Sequence, residues 1–275
     1  MMQIEPSERE SGTTSSQTVG RAVRLLRLVL EAGTGGLKLR DATALTGWSK
    51  STVHRLLAEL EKGGLLRRGS GKEYLTGRFA YELGIGPSPL GELRELCSGT
   101  LERIAAETSS TVFLGIRSGA SSLCLDYRLG AEIRPPVVPP RGKLRPLGVG
   151  AAGLAVLSRL PDSEVDRIGE TNARRLQSYG VNSGRSLTPF IRHARSAGYA
   201  KVANIVAPGV VGIGACVADA TGHPLCSISV VAPVVRMTTH REREAVDSIA
   251  REIELLKPLL LRRASLVSLL RTTTC

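Results

Sequence analysis

At 275 residues, with 42% hydrophobic, 23% charged and 3% aromatic side chains, the chain is long enough for one large domain or two ordinary ones and too apolar to be disordered. Its core must come from Leu, Val, Ile and Ala, and no apolar run reaches the roughly 18–20 residues of a membrane span. The net charge of +12 points to polyanionic partners only where it is concentrated, because a uniformly basic surface is ordinary solvation.

The opening, MMQIEPSERESGTTSSQ, is polar and mildly acidic with no signal-peptide pattern, so residues 1–17 are expected to form a disordered arm on a cytoplasmic protein. Thr18 to Glu31 carries Val19, Ala22, Val23, Leu26, Val29 and Leu30 at helical spacing, with Arg21, Arg24 and Arg27 off that stripe. GTGG (33–36) breaks the chain, Leu37 to Leu45 is a second, shorter helix, and Thr46-Gly47 ends it. A third helix follows in SKSTVHRLLAELEK, where Val53, Leu56, Leu57 and Leu60 make one buried stripe at i, i+3, i+4, i+7 spacing, and Gly63-Gly64 stops it. LLRRGSGKEYL (65–75) reads as two short strands around Gly69-Ser70-Gly71. Helix, helix, turn, helix and basic hairpin make a winged helix-turn-helix pattern over 18–84.

Positive charge gathers in this part of the chain. Between Thr18 and Ala80 twelve Lys/Arg stand against five Asp/Glu, whereas from Gly91 onward the balance is 24 against 16 over a stretch about three times as long. In the third helix the apolar stripe leaves Ser51, Arg55 and Lys62 pointing outward, flanked by His54 and Glu59. Ser49 is a good N-cap, and Trp48 and Val53 occupy the positions of a hydrophobic staple. Small polar residues let a helix tip approach a major groove closely, Arg grips guanine bidentately, and the helix N-terminus favours a phosphate. Ser49, Lys50, Ser51, Thr52, His54 and Arg55 are therefore the candidate reading residues, with Arg67, Arg68 and Lys72 of the hairpin as backbone or minor-groove contacts. A solvated helix face is the plain alternative.

IGPSPLG (85–91) marks a boundary, with a linker over 85–92 and a second domain over 93–258. Leu93 to Glu107 is helical. TVFLGIRSG (111–119) and SSLCLDYR (121–128) are strand-like across a Gly-Ala turn, and a Pro-rich stretch (134–146) precedes a small-residue helix start at Gly148–Leu160. Helical pieces near 162–170 and 188–197 lead to paired strands at 210–219 and 224–232, then to a final helix from Thr239 that meets Pro258. The class is α+β, mixed, with mostly antiparallel neighbours and helices against the sheet. The tail, 259–275, is amphipathic if helical and is expected to pack on the domain or on a partner subunit. Cys97, Cys124, Cys216, Cys226 and Cys275 form no CxxC pair, and His54, His193, His223 and His240 show no metal-ligand spacing, so neither metal nor cofactor is expected.

SKSTVHRLLAELEKGGLLRR, with RAVRLLRLVLEAG before it and YLTGRFAYELG after it, resembles the DNA-binding half of isocitrate-lyase-regulator (IclR) type transcription factors. LERIAAETSSTVFLGI, LGVGAAGLAVLSRLP, IRHARSAGYA and GVVGIGACVADATGHPLCSISVVAPVVRMT follow the same family's order in the second half. The resemblance implies an N-terminal winged helix-turn-helix, a linker helix and a GAF-like α/β effector-binding domain. It also implies homodimers or dimers of dimers on a palindromic double-stranded DNA operator. Position by position, effector contacts fall on the loop amides of Ala151 and Ala152 and on Ser229. Polar family positions have become Val202, Gly212 and Val231, and the loop lysine has become Leu154. The expected effector is apolar or carboxylate-bearing, or else the pocket is degenerate and binds none.

Gly148-Val-Gly150-Ala-Ala-Gly153 also satisfies GxGxxG, which raises a nicotinamide-dependent enzyme as a remote alternative. KLRPL before it is no apolar strand, and no Ser/His/Asp, metal or paired-carboxylate set stands at readable spacing, so the chain is expected not to be an enzyme.

Overall fold

The computed structural model describes residues 11–85, 88–131, 141–181 and 184–272, and the chain divides into two compact units, Met1–Pro87 and Ser88–Cys275. Cys275 and most of the Pro-rich stretch lie outside the described residues.

In the first unit, α1 (Ser11–Ala32) starts inside the stretch expected to be an arm, whose residues 1–10 are not described. A one-turn 3-10 helix leads to α2 (Leu39–Thr46), then α3 (Lys50–Lys62), β1 (Leu66–Arg68), β2 (Tyr74–Thr76) and α4 (Arg78–Ile85). The α1 stripe needs correcting. Leu25 and Val29 are buried, with Ala22 and Leu26 beside them, whereas Val19, Val23 and Leu30 stay exposed. Apolar residues occupy two overlapping stripes of this helix, and packing against α3 and β2 selects the one containing Leu25. Leu37 is not helical either. Its N–H donates to Tyr74 O and its carbonyl accepts from Tyr74 N, both at 2.9 Å, so it adds an edge to the β1–β2 hairpin. Tyr74, Leu57 and Leu25 close the core of this unit.

The second unit holds α5 (Pro89–Thr108), β3 (Thr111–Ser118), β4 (Ser121–Arg128), β5 (Leu144–Pro146), α6 (Ala151–Leu157), α7 (Asp162–Gln177), α8 (Thr188–Ala197), β6 (Ala200–Ala203), β7 (Val210–Ala218), β8 (Pro224–Pro233), α9 (Thr239–Leu261) and α10 (Ala264–Arg271). Its six strands lie in the order β5-β4-β3-β8-β7-β6, antiparallel at every pairing. Alternation sorts each strand onto two faces. Val112, Leu114, Ile213, Ile228 and Val230 pack with α5, α9 and α10, while Val202 and Cys216 pack with α6, α7 and α8. Two adaptations bring α6 onto the sheet. A Cβ on Gly214 would lie 3.1 Å from the Ala151 backbone, and one on Gly212 would lie 3.2 Å from Ala151 Cβ, so a larger residue at either position would push α6 or a neighbour back by a few tenths of an ångström. α7 is pinned to the β3–β4 hairpin by Arg117 Nη2 donating to Glu164 Oε1 at 2.7 Å and Asn172 Nδ2 donating to Ala120 O at 2.7 Å.

At the C-terminus the final helix runs beyond Pro258, and the tail packs on its own domain. α9 runs on through Pro258 to Leu261, although proline removes one helical hydrogen bond, because Leu256 and Leu260 on either side of it are buried. α10 then folds back and buries Leu266 and Leu270 in the core cluster. Arg271 donates to Asp219 Oδ2 at 2.8 Å, while Asp219 Oδ1 accepts from the Thr221 amide and hydroxyl and from the His223 amide. Burial pushes the Asp219 carboxyl up, but these donors outweigh it and hold the pKa at about 2. A carboxyl lowered on folding stabilises above its unfolded pKa and loses that contribution as pH falls through the folded value. Stability should therefore fall between about pH 4 and pH 2 as this group protonates, and Asp219→Asn should be less stable at neutral pH and show a shallower acid transition in pH-dependent urea unfolding.

Candidate functional site

The tip of α3 is held from three sides. Gly47 ends α2 in the left-handed conformation at φ 72°, and its N–H donates to Thr43 O at 2.9 Å. Ser49 caps α3, its Oγ accepting from Thr52 N at 3.3 Å and lying 3.0 Å from Ser51 Oγ and 2.9 Å from Thr52 Oγ1. Trp48 packs against the core of the unit, and the Arg21 and Arg24 guanidinium groups both lie 5.4 Å from its ring. Those two arginines were read from the sequence only as the polar side of α1. Ser49→Ala should destabilise this unit by about 0.5–2 kcal/mol, measurable by urea unfolding.

With that anchoring, Ser49, Lys50, Ser51, His54 and Arg55 are exposed and Thr52 is half-buried, so the six predicted reading residues form one continuous outward tip. No acidic residue occupies the first turn of α3. A helix N-terminus with a cluster of hydroxyls, an ammonium, a guanidinium and an unopposed positive dipole is a surface for phosphate and base edges.

The three hairpin cations divide. Arg67 and Lys72 are exposed, Lys72 in a left-handed backbone at φ 63° that turns the tip. Arg68 is exposed as well, but its guanidinium is engaged within its own unit. Its Nε donates to Glu61 Oε2 at 3.1 Å, its Nη2 donates to Tyr74 OH at 2.7 Å, and it sits over the Tyr74 ring. Arg68 thus ties the hairpin to the end of α3.

In the second unit, one cavity of about 90 Å³ opens between the sheet and the start of α6, several times the ~10–15 Å³ that one water needs. Ala151, Ala152, Val202, Gly212, Ser229 and Val231 all line it. The first helical hydrogen bond of α6 is Leu154 N donating to Gly150 O at 2.9 Å, so the amides of Ala151, Ala152 and Gly153 precede the ladder. Sequence reasoning missed the opposite wall, made by Ser122 and Cys124 of β4 and by Lys143 and Arg145. In the sequence, the alternating cations of KLRPL (143–147) are the one available signal for that wall. Burial pushes the Cys124 thiol up to about 11, so it faces the cavity as a neutral thiol.

The GxGxxG motif has a packing role. Gly148, at φ 100°, has a backbone conformation that side-chain-bearing residues rarely adopt, and a Cβ there would lie 2.3 Å from Leu187 Cδ1, so the Leu187 side chain would have to shift. β5 before it is an edge strand of an antiparallel sheet, whereas a dinucleotide fingerprint needs a parallel βαβ unit. Among the described residues no helix is long and apolar enough to cross a membrane.

Comparison with known proteins finds matches for both units of the chain. The model of the bacterial transcriptional regulator IclR C-terminal domain matches residues 91–254, and that of the IclR helix-turn-helix domain matches residues 18–70. The transcriptional repressor IclR of Escherichia coli is 25% identical over 252 residues, covering 88% of this chain and 90% of the repressor. An IclR family transcriptional regulator from Brucella abortus shares the fold with a TM-score of 0.74 at 20% identity, over 92% of this chain and 99% of that one. An IclR homolog from Microbacterium hydrocarbonoxydans, crystallised in complex with 4-hydroxybenzoate, does so with a TM-score of 0.64 at 18% identity, over 88% of this chain and 98% of that one. With a DNA-binding helix-turn-helix unit and an effector-binding C-terminal domain matched in order along one chain, this protein belongs to the IclR family of bacterial transcriptional regulators.

Proposed function

We propose that this regulator acts in the cytoplasm as a homodimer or dimer of dimers on a palindromic operator, and that a small effector in the cavity changes its DNA affinity. The observation that carries the reading is the capped α3 tip, with Ser51, His54 and Arg55 exposed and no acid in its first turn. Arg55 and Ser51 read bases, Ser49, Lys50 and Thr52 meet phosphate, and Arg67 and Lys72 grip the backbone or minor groove. Arg68, the third hairpin cation, braces the hairpin. Two-fold symmetry would present a pair of α3 tips to half-sites one helical turn or a multiple apart. Exposed apolar side chains support self-association, among them Val19, Val23 and Leu30 of α1 and Phe79, Tyr81 and Leu83 of α4.

Effector control requires different affinities of the two DNA-binding arrangements for the ligand, and the coupling is reciprocal. The cavity and the 4-hydroxybenzoate complex of the homolog support a ligand that joins an apolar body to a carboxylate. A degenerate pocket is the second reading, favoured by the apolar replacements at Val202, Gly212 and Val231.

Titrating DNA binding against salt tests the interface. The logarithm of affinity should fall linearly with the logarithm of salt concentration, and Lys72→Ala should weaken all duplexes evenly and reduce the slope by about 1. A salt-independent affinity, or a Lys72 effect confined to one sequence, would contradict the assignment. For the effector, a compound that raises the melting temperature should also change operator affinity; a thermal shift without that change would contradict effector control, and no thermal shift with any compound would support the degenerate pocket.

A further inference from the structure

The end of α9 is apolar on both sides, and its core contacts use only one of them. Leu256 and Leu260 are buried, whereas Leu255, Leu259 and Leu261 are 56%, 48% and 38% exposed. Pro258 is exposed with them. At ~100° per residue, Leu255, Pro258 and Leu261 fall within about 60° of one line along the helix. All these positions lie past residue 254, where the family match ends. Pro258 has no N–H for the Glu254 carbonyl four residues back, so this face also carries an acceptor without its ladder donor.

The charges flanking this patch are symmetric about its centre. Glu254 stands four residues before Pro258 and Arg262 four after, both exposed, and Arg262 keeps helical angles at φ −71° and ψ −9°. Suppose a second α9 lies antiparallel on the first, with a two-fold axis at Pro258. Each residue then faces the one equally far on the other side of Pro258. Glu254 of each copy meets Arg262 of the other, Leu255 meets Leu261, and the two prolines meet at the axis. A parallel pairing would instead set Glu254 on Glu254 and Arg262 on Arg262. Self-complementarity of this kind is what a two-fold interface requires, and an apolar strip closed by opposite charges at both ends fixes its register. We propose that the α9 face around Pro258 binds a second copy of this chain, antiparallel and two-fold symmetric. The proposal rests on the reading that this regulator self-associates, and adds a surface distinct from the apolar side chains of α1 and α4. Pairs joined through one surface become dimers of dimers through the other.

Sedimentation equilibrium of the full chain tests this. Glu254→Arg and Arg262→Glu should each weaken association by about tenfold or more, because each sets like charges together at both ends. Each should halve the mass seen for the native chain at the same micromolar concentration. The swap Glu254→Arg/Arg262→Glu should restore the native mass. Leu255→Asp should halve it as well, and all three side chains are exposed, so no core contact is lost. Native mass in every variant would overturn this surface and leave self-association through α1 and α4 standing. Losses that the swap does not restore would overturn the antiparallel pairing. A native chain that sediments as a single copy would overturn both.

Discussion

Arg55→Ala should lower affinity for a selected operator by about five- to a hundredfold, the equivalent of ~1–3 kcal/mol for one good base contact, and leave affinity for random duplex nearly unchanged. Arg55 stands one turn inside α3, behind a capped N-terminus, with its side chain exposed and no ion pair among the described residues. Its neighbours Leu56 and Leu57 are buried, so the backbone beneath it is fixed and the guanidinium is presented from a rigid base. Fluorescence anisotropy on the two duplexes checks it. Equal losses on both would make Arg55 a phosphate contact and move base reading elsewhere on the tip.

Leu266→Ala should destabilise the second unit by about 2–5 kcal/mol, the usual range for a fully buried leucine, and chemical unfolding followed through that unit's transition measures it. Leu266 is 0% exposed although it lies in the segment beyond Pro258. It joins a cluster that includes Leu93 and Leu101 of α5 and Ile228 of β8, and Arg271 fastens the same helix to the β7–β8 turn. A loss below about 1 kcal/mol would mean that α10 is a peripheral flap.

Much of this was legible in the sequence, and the misses share a physical origin. The α3 stripe was readable because it is a single apolar stripe with its cap and its terminating glycine in place. α1 was not, because Val19, Val23, Leu25 and Leu30 are all apolar and only tertiary packing chooses among them. Leu37 looked helical by spacing until Tyr74 paired with its backbone. β6, only four residues long, carries too little alternation to be read alone. Spacing brings the final helix up to Pro258 and no further, yet buried leucines on either side carry it through.

The sites divide in the same way. Family resemblance names six residues that line one cavity, carried over from separate motifs on α6, β6, β7 and β8. Lys143 and Arg145 reach the cavity only because β5 pairs antiparallel with β4, a contact between strands separated by the Pro-rich stretch. Arg68 looked like its neighbour Arg67 by composition, and strand alternation placed them on opposite sides.

Selection of bound sequences from a random double-stranded DNA pool tests the central claim most directly. The account predicts an enriched motif of two inverted half-sites whose centres lie about one helical turn or a multiple apart, with one position losing its preference in Arg55→Ala. Recovery of no motif by the native chain, or of the same motif at full strength by Arg55→Ala, would contradict it.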